Sequence, residues 1–245
     1  MPDASDHSFL SRIKQALSRP APPPSVHTHP EHSGSLAPVA PVPATAEERV
    51  ARFQAEFERV AGVFHRAREA SEAQEIAVQI AREREVRAAV TWPGPLLGRL
   101  GIGQALGARG IEVWDGSPRR FDALSEAERG LVRERLAIAE LGITEVDHAV
   151  ADSGSLILFA GPGRGRLASA LPLYHLAVVR PEQILGSLDE LPKHLRARPP
   201  DARGLWMPSA IAVITGPSRS ADIELSLTRG VHGPREVHVL LWEGA

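Results

Sequence analysis

With 245 residues, a net charge of −2 and a pI near 6.6, the chain is long enough for one large domain or two small ones, and it lacks the basic domain that grips nucleic acid. Its 43% hydrophobic and 24% charged content suits a protein with a proper core. It contains no cysteine, which excludes disulfides, thiolate catalysis, zinc–thiolate sites and iron–sulfur ligation within this chain.

The chain opens on Phe9, Leu10, Ile13 and Leu17 at helical spacing, which predicts a short amphipathic helix within residues 1–19. Such a helix is marginal alone and needs a surface to dock on. Residues 20–44 are rich in proline and read as a semi-extended linker. Within it, His27, His29 and His32 sit close enough to chelate a metal, but a flexible segment loses much entropy in closing around an ion. The expectation is no metal site. The opening residues lack the apolar stretch of a secretory signal, and no run nears the ~20 apolar residues that span a bilayer, so a cytoplasmic protein is expected.

A folded domain is predicted over 45–245, beginning with the capping box Thr45–Glu48. Val50, Phe53, Phe57, Val60, Val63 and Phe64 then mark one face of a long helix. A second helix is expected from Ser71 to Arg84, with Ile76, Val78 and Ile80 towards the core. Val86–Trp92 reads as a buried strand, the following stretch to Gly110 as one helix, and Ile111–Trp114 as the next strand. Ser125 and Glu128 form another capping box, opening a helix to about Ala137. This alternation argues for βαβ units and a mainly parallel sheet in an α/β fold.

The second half is richer in strands. Ser155–Ala160 and Tyr174–Val179 are strands, joined by a segment that a hairpin would explain. Pro181 starts a helix that Pro192 disturbs. Ser209–Thr215 and Glu236–Trp242 complete the set, the former apolar enough for a central strand.

Open α/β sheets hold ligands beyond the carboxyl ends of their strands, and three segments qualify. In the first, Thr215-Gly216-Pro217-Ser218-Arg219-Ser220 follows a strand and leads to Asp222 and Glu224. A helix starting near Ser220 would aim amides, hydroxyls and a guanidinium at one anion, although Ile223, Leu225 and Leu227 alternate as in a strand. The need for a crossover before Glu236 favours the helix. In the second, Asp152 stands beside Ser153, Gly154 and Ser155, a set that binds a carbonyl or closes an Asx turn. In the third, Arg164 and Arg166 lie in a glycine loop that either clamps a carboxylate or phosphate or lies open on the surface. His232, between Gly230 and Gly233, is a candidate general base or a turn residue.

Four blocks together carry a resemblance: Ala151-Asp152-Ser153-Gly154-Ser155-Leu156; Arg166-Leu167-Ala168-Ser169 with Leu171-Pro172 and His175; Gly216 to Glu224; and Gly230-Val231-His232-Gly233-Pro234. Their order and spacing over roughly 141–241 resemble the LUD-domain family in its lactate-utilization branch. The family pattern has A-E-T-G-T where this chain has Asp152, Ser153 and Ser155, and a threonine in place of Ser220. The resemblance implies a fold like the NagB/RpiA/CoA-transferase group, a three-layer α/β sandwich around a mainly parallel sheet. It also implies a part in oxidising L-lactate to pyruvate, with partner proteins that carry the iron–sulfur clusters and no cofactor in this chain. Three readings stand at this point. The chain is an accessory subunit binding an anionic small molecule through Ser153, Gly154, Ser155, Arg164, Arg166, Ser169, Thr215, Gly216, Ser218, Arg219, Ser220, Asp222 and Gly233. Alternatively it is an enzyme for an acyl, CoA or sugar-phosphate-like substrate with Asp152, Glu224 or His232 as acid or base, or a purely structural partner.

Overall fold

In the computed structural model, residues 45–116, 123–200, 207–221, 227–229 and 233–244 are described. The amphipathic segment, the proline-rich linker and His27, His29 and His32 lie outside them, as do Asp222, Glu224 and His232.

Helix α1 (Ala46–Arg59) starts on the expected box, with the Thr45 side chain accepting from Glu48 N at 3.1 Å and the Glu48 carboxylate accepting from Thr45 N at 3.0 Å. It buries Val50, Phe53 and Phe57. It ends earlier than its apolar spacing predicts. Ala61 turns to φ 66°, and Gly62 N donates to Phe57 O, so the chain leaves the helix in a Schellman-type cap. Val63 and Phe64 consequently belong to strand β1 (Val63–Ala67).

Helix α2 (Ala70–Glu83) packs mainly through Ala73, Ala77, Ile80 and Ala81, while Ile76 and Val78 are only partly buried. Strand β2 (Ala88–Thr91) follows. The single helix expected next is two, α3 (Pro95–Leu100) and α4 (Ile102–Gly107), because Gly101 adopts φ 64° between them. The Gln74 amide donates to the Leu100 carbonyl left free there, at 2.8 Å. After β3 (Glu112–Asp115), the Ser125–Glu128 box opens α5 (Glu126–Ile138) as predicted.

Two strands had no distinct sequence signal: β4 (Leu141–Glu145) and the short β5 (His148–Val150). The later strands are β6 (Ser155–Ala160), β7 (Tyr174–Val179), β8 (Ile184–Leu185), β9 (Ala210–Ile214), β10 (Arg219–Ala221), β11 (Leu227–Arg229) and β12 (Glu236–Trp242). Helix α6 (Leu167–Ala170) precedes β7, and α7 (Leu191–Ala197) precedes β9.

Six strands form one sheet in the order β1-β12-β7-β4-β2-β3, every pairing parallel. A second sheet has the order β8-β5-β6-β9, with β6 antiparallel to both β5 and β9. This corrects three expectations. β6 and β7 are not a hairpin, because α6 carries the chain from one sheet to the other. β9 is not central to the parallel sheet but pairs with β6. The residues after it continue as β10, paired antiparallel with β11, rather than as a helix beginning near Ser220. The expected helix from Pro181 is likewise a 3-10 turn, β8 and a second 3-10 turn; Pro192 stands in the first turn of α7, where a missing N–H costs nothing.

Three layers result. Helices α2, α3 and α4 cover one face of the parallel sheet, α2 through Ala77 and Ile80 and the other two through Leu97, Leu100, Ile102 and Leu106. Helices α1 and α5 and the second sheet cover the other, where Phe53, Phe57, Val132 and Leu158 pack on Ala177, Val179, Val239 and Leu241. Gly142 makes the closest approach: a Cβ there would stand 1.9 Å from the Ala168 carbonyl oxygen, so only glycine lets α6 lie on β4. Helix α7 closes the outer face of the second sheet with Leu191 and Leu195.

Candidate functional site

The turn after β9 is shaped by its neighbours. Gly216 has φ 79°, and a Cβ on it would come within 2.6 Å of the Val60 carbonyl at the end of α1. Both the backbone conformation and the lack of room require glycine. Pro217 is buried behind it, and Ser218 N donates to Pro234 O at 2.9 Å, tying this turn to the segment that enters β12. The same segment meets the entry to β7 through Arg235 N, which donates to Leu173 O at 2.7 Å. On that side, the Ser169 hydroxyl is buried and donates to Arg166 O at 3.0 Å.

These contacts enclose a cleft of about 650 Å³. Arg166, Leu167, Ser169 and Ala170 bound one side, residues 212–216 and Ser218 another, and Gly233 with Pro234 the third. The cleft lies at the amino ends of β7 and β12, not at the carboxyl ends where an open sheet is expected to bind. The displacement has a structural cause: the second sheet stacks over that end and supplies one wall.

Arg166 is exposed, and its guanidinium has no partner among the described residues. Hydroxyls of Ser169, Thr215 and Ser218 share the cleft with it, whereas Leu167, Ala170, Ala212 and Ile214 provide apolar wall. Among the described residues, no aspartate, glutamate or histidine lines it. The set can hold an anionic group through one guanidinium and several hydroxyls and place an apolar body beside it. Leu167, Ala170 and Pro234 were not candidates from the sequence. The signal was their position inside the same blocks as Arg166 and Gly233.

Six sequence candidates thus meet in one cleft: Arg166, Ser169, Thr215, Gly216, Ser218 and Gly233. Ser155 adjoins it, its hydroxyl 2.7 Å from that of Thr215. The others lie elsewhere. Gly154, at φ 61°, presses on α1, where a Cβ would come within 2.5 Å of Phe57 N. Asp152 and Ser153 share that turn; Asp152 N donates to Gly186 O, and neither side chain lines the cleft. Arg164 turns inward: its guanidinium meets Asp147 at 2.7 Å, donates to Glu145 O at 3.3 Å and lies 4.6 Å over the Trp92 ring. Arg219 and Ser220 belong to β10 by their backbone.

The LUD domain matches residues 50–242 of this chain. Lactate utilization protein C of Halalkalibacterium halodurans is 35% identical over 155 residues, 63% of this chain and 62% of that protein. Lactate utilization protein C of Bacillus subtilis is 39% identical over 103 residues, 42% of each. The chain therefore spans less than two thirds of the length of either of these curated relatives. YkgG of Escherichia coli, an uncharacterized protein, is 31% identical over 245 residues, 96% of each. A crystal structure of a DUF162-family protein from Deinococcus radiodurans matches with a TM-score of 0.51 at 22% identity, covering 81% of this chain and 99% of that one, and shows the shared fold.

Proposed function

The chain belongs to the LUD-domain family, and from that premise we propose that it is an accessory subunit of a cytoplasmic lactate-utilization system that binds an anionic small molecule in the cleft. One observation carries the binding reading: three segments far apart in sequence bring Arg166, Ser169, Thr215, Ser218 and Gly233 to one cavity that no described acid or histidine enters. Among the described residues the cleft offers donors and no acid–base pair, a set suited to holding a ligand. At about 650 Å³, the cavity falls among coenzyme-sized sites of roughly 300–1,000 Å³, so a nucleotide or a CoA ester fills it better than lactate does.

In this reading, the oxidation of L-lactate to pyruvate, which releases two electrons and two protons, takes place with partner proteins. A chain without cysteine has no thiolate for an iron–sulfur cluster, so the clusters belong to those partners.

Thermal-shift titration of the full chain with L-lactate, pyruvate, nucleotides and CoA esters tests the binding, since a ligand selective for the folded state raises apparent stability. One anionic class should raise the midpoint. Arg166→Ala should weaken that ligand by about tenfold or more, the usual scale for a charged hydrogen bond, while leaving the fold intact. Unchanged affinity in Arg166→Ala removes the cleft as the anion site. Deleting the gene should abolish growth on L-lactate as carbon source, and the wild-type chain should restore it; normal growth of the deletion strain refutes the lactate role.

A further inference from the structure

At the opposite end of the parallel sheet, above the carboxyl ends of β2 and β3, lies a second hollow of about 360 Å³. It is bounded by Thr91, Trp92, Gly94, Gly98, Gln104 and Val113, among others. Its position is significant in this topology. β2 sends its connection through α3 and α4 to β3, whereas β4, on the other side of β2, sends the chain to β5 in the second sheet before it returns at β7. Carboxyl ends beside such a divergence are where open parallel sheets hold ligands. The cleft that holds Arg166 occupies the other end, so this edge is not the same site.

The chemistry of the hollow differs as well. Among the described residues, no charged side chain bounds it. The amides that open α3 are already engaged: Glu145 Oε1 accepts from Leu96 N at 2.8 Å and from Leu97 N at 3.0 Å. That carboxylate stands directly behind Gly94, where a Cβ would come within 2.1 Å of it. An arriving anion would therefore meet a negative group and no free donor of the helix. A neutral ligand meets Leu97, Ile102 and Val113 as apolar wall. It also meets the Gln104 amide, which is exposed and has no partner among the described residues, and which both donates and accepts.

We propose that this hollow is a second ligand site, taking a small neutral heterocycle with an amide-like edge, of nicotinamide or nucleobase size. Gly98 supports the assignment and supplies its test. It lies inside α3, its backbone is not left-handed, and a Cβ there meets nothing within 4 Å. Neither conformation nor packing requires glycine at that position, and a longer side chain would stand in the hollow.

Isothermal titration of the full chain with nicotinamide and adenine, and with nicotinate as the charged counterpart, tests the proposal. At least one neutral ring should bind saturably, and nicotinate should bind at least about tenfold more weakly than nicotinamide if nicotinamide is that ring. Gly98→Leu should weaken the bound ring by about tenfold or more with its circular dichroism unchanged, whereas Arg166→Ala should leave it unaltered. Absence of binding by both neutral rings, or full affinity in a folded Gly98→Leu, overturns the site. Should Gly98→Leu fail to fold, Gln104→Ala decides, because that side chain is exposed: about fivefold weaker binding supports the site, and wild-type affinity rejects it.

Discussion

Near the carboxyl ends of the parallel sheet, the charged side chains of Glu145, Asp147 and Arg164 are committed to the protein itself. Glu145 caps α3, and Arg164 joins Asp147 beneath the second sheet while stacking on Trp92. At the amino ends the same residue type does the reverse. Arg166, two positions after Arg164, reaches a cleft with no partner among the described residues. Sequence composition cannot separate the two arginines, since both stand in one glycine loop; what separates them is whether a carboxylate waits within reach. Asp147 does so for Arg164, at 2.7 Å, with both side chains largely covered.

The largest effect that tests this contrast is on stability. Arg164→Ala should destabilise the fold by about 2 kcal/mol, below the 3–5 kcal/mol of a fully buried pair because both partners retain some exposure. Urea midpoints of Arg164→Ala and Arg166→Ala measure the difference directly. Arg166→Ala should fall within about 0.5 kcal/mol of wild type, as surface substitutions do. Equal losses in the two variants would falsify the division between an arginine that holds the fold and one left for a ligand.

The βαβ half of the fold was legible because its signals are local. Both capping boxes formed, and the apolar runs of β2, β6, β7 and β12 are strands. The second sheet was not, because pairing is a long-range property. Nothing within Ser209–Thr215 records that it lies against β6 rather than in the parallel sheet, and a three-residue strand such as β5 has no periodicity to read. The residues of the cleft were legible as chemistry but not as place. Hydroxyls, glycines and Arg166 marked the loops, while their location at the amino ends depends on the second sheet closing over them. Helix lengths were misjudged where a positive φ intervened, at Ala61 and Gly101.

A second prediction sharpens the contrast through pH. Three strands of the parallel sheet, β1, β7 and β12, carry buried or half-buried imidazoles, a group absent from the described lining of the cleft. Burial pushes His175 down to about 3; its Nε2 lies 2.8 Å from the Thr144 hydroxyl. Burial, and after it the neighbouring His238, pushes His65 down to about 4, with His65 Nε2 3.1 Å from His238 Nδ1. Glu83, Glu236 and Arg84 are the charged groups that act on this pair. The unfolded chain takes up these protons near pH 6.5 and the folded chain does not, so stability is full above about 6.5 and falls as pH drops towards 4 and then 3. For His175 the slope within that window is about 1.4 kcal/mol per pH unit. Urea midpoints at pH 7, 5.5 and 4.5 should decline in that order. A flat series rejects neutral histidines in the sheet.

The smallest effect concerns the caps that end the first two helices. Both are Schellman-type, and both place a side-chain-bearing residue in the left-handed position: Ala61 at φ 66° and Glu85 at φ 52°. The end of α4 uses Gly110 at φ 81° for the same purpose. Left-handed backbone costs a non-glycine residue roughly 1–2 kcal/mol, part of which glycine returns as extra freedom in the unfolded chain. Glu85→Gly and Ala61→Gly should each therefore raise stability by about 0.5–1 kcal/mol. Their sites differ in one respect. Glu85 stands in the turn between α2 and β2 and is not among the residues that line the cleft, whereas the carbonyl of Val60, next to Ala61, abuts Gly216 in the cleft turn. If that strained cap only ends a helix, anion binding is the same in both variants. Weaker binding in Ala61→Gly alone would show that the conformation at the end of α1 holds the Thr215–Ser218 turn in its binding geometry, extending the ligand-binding region into the first helix.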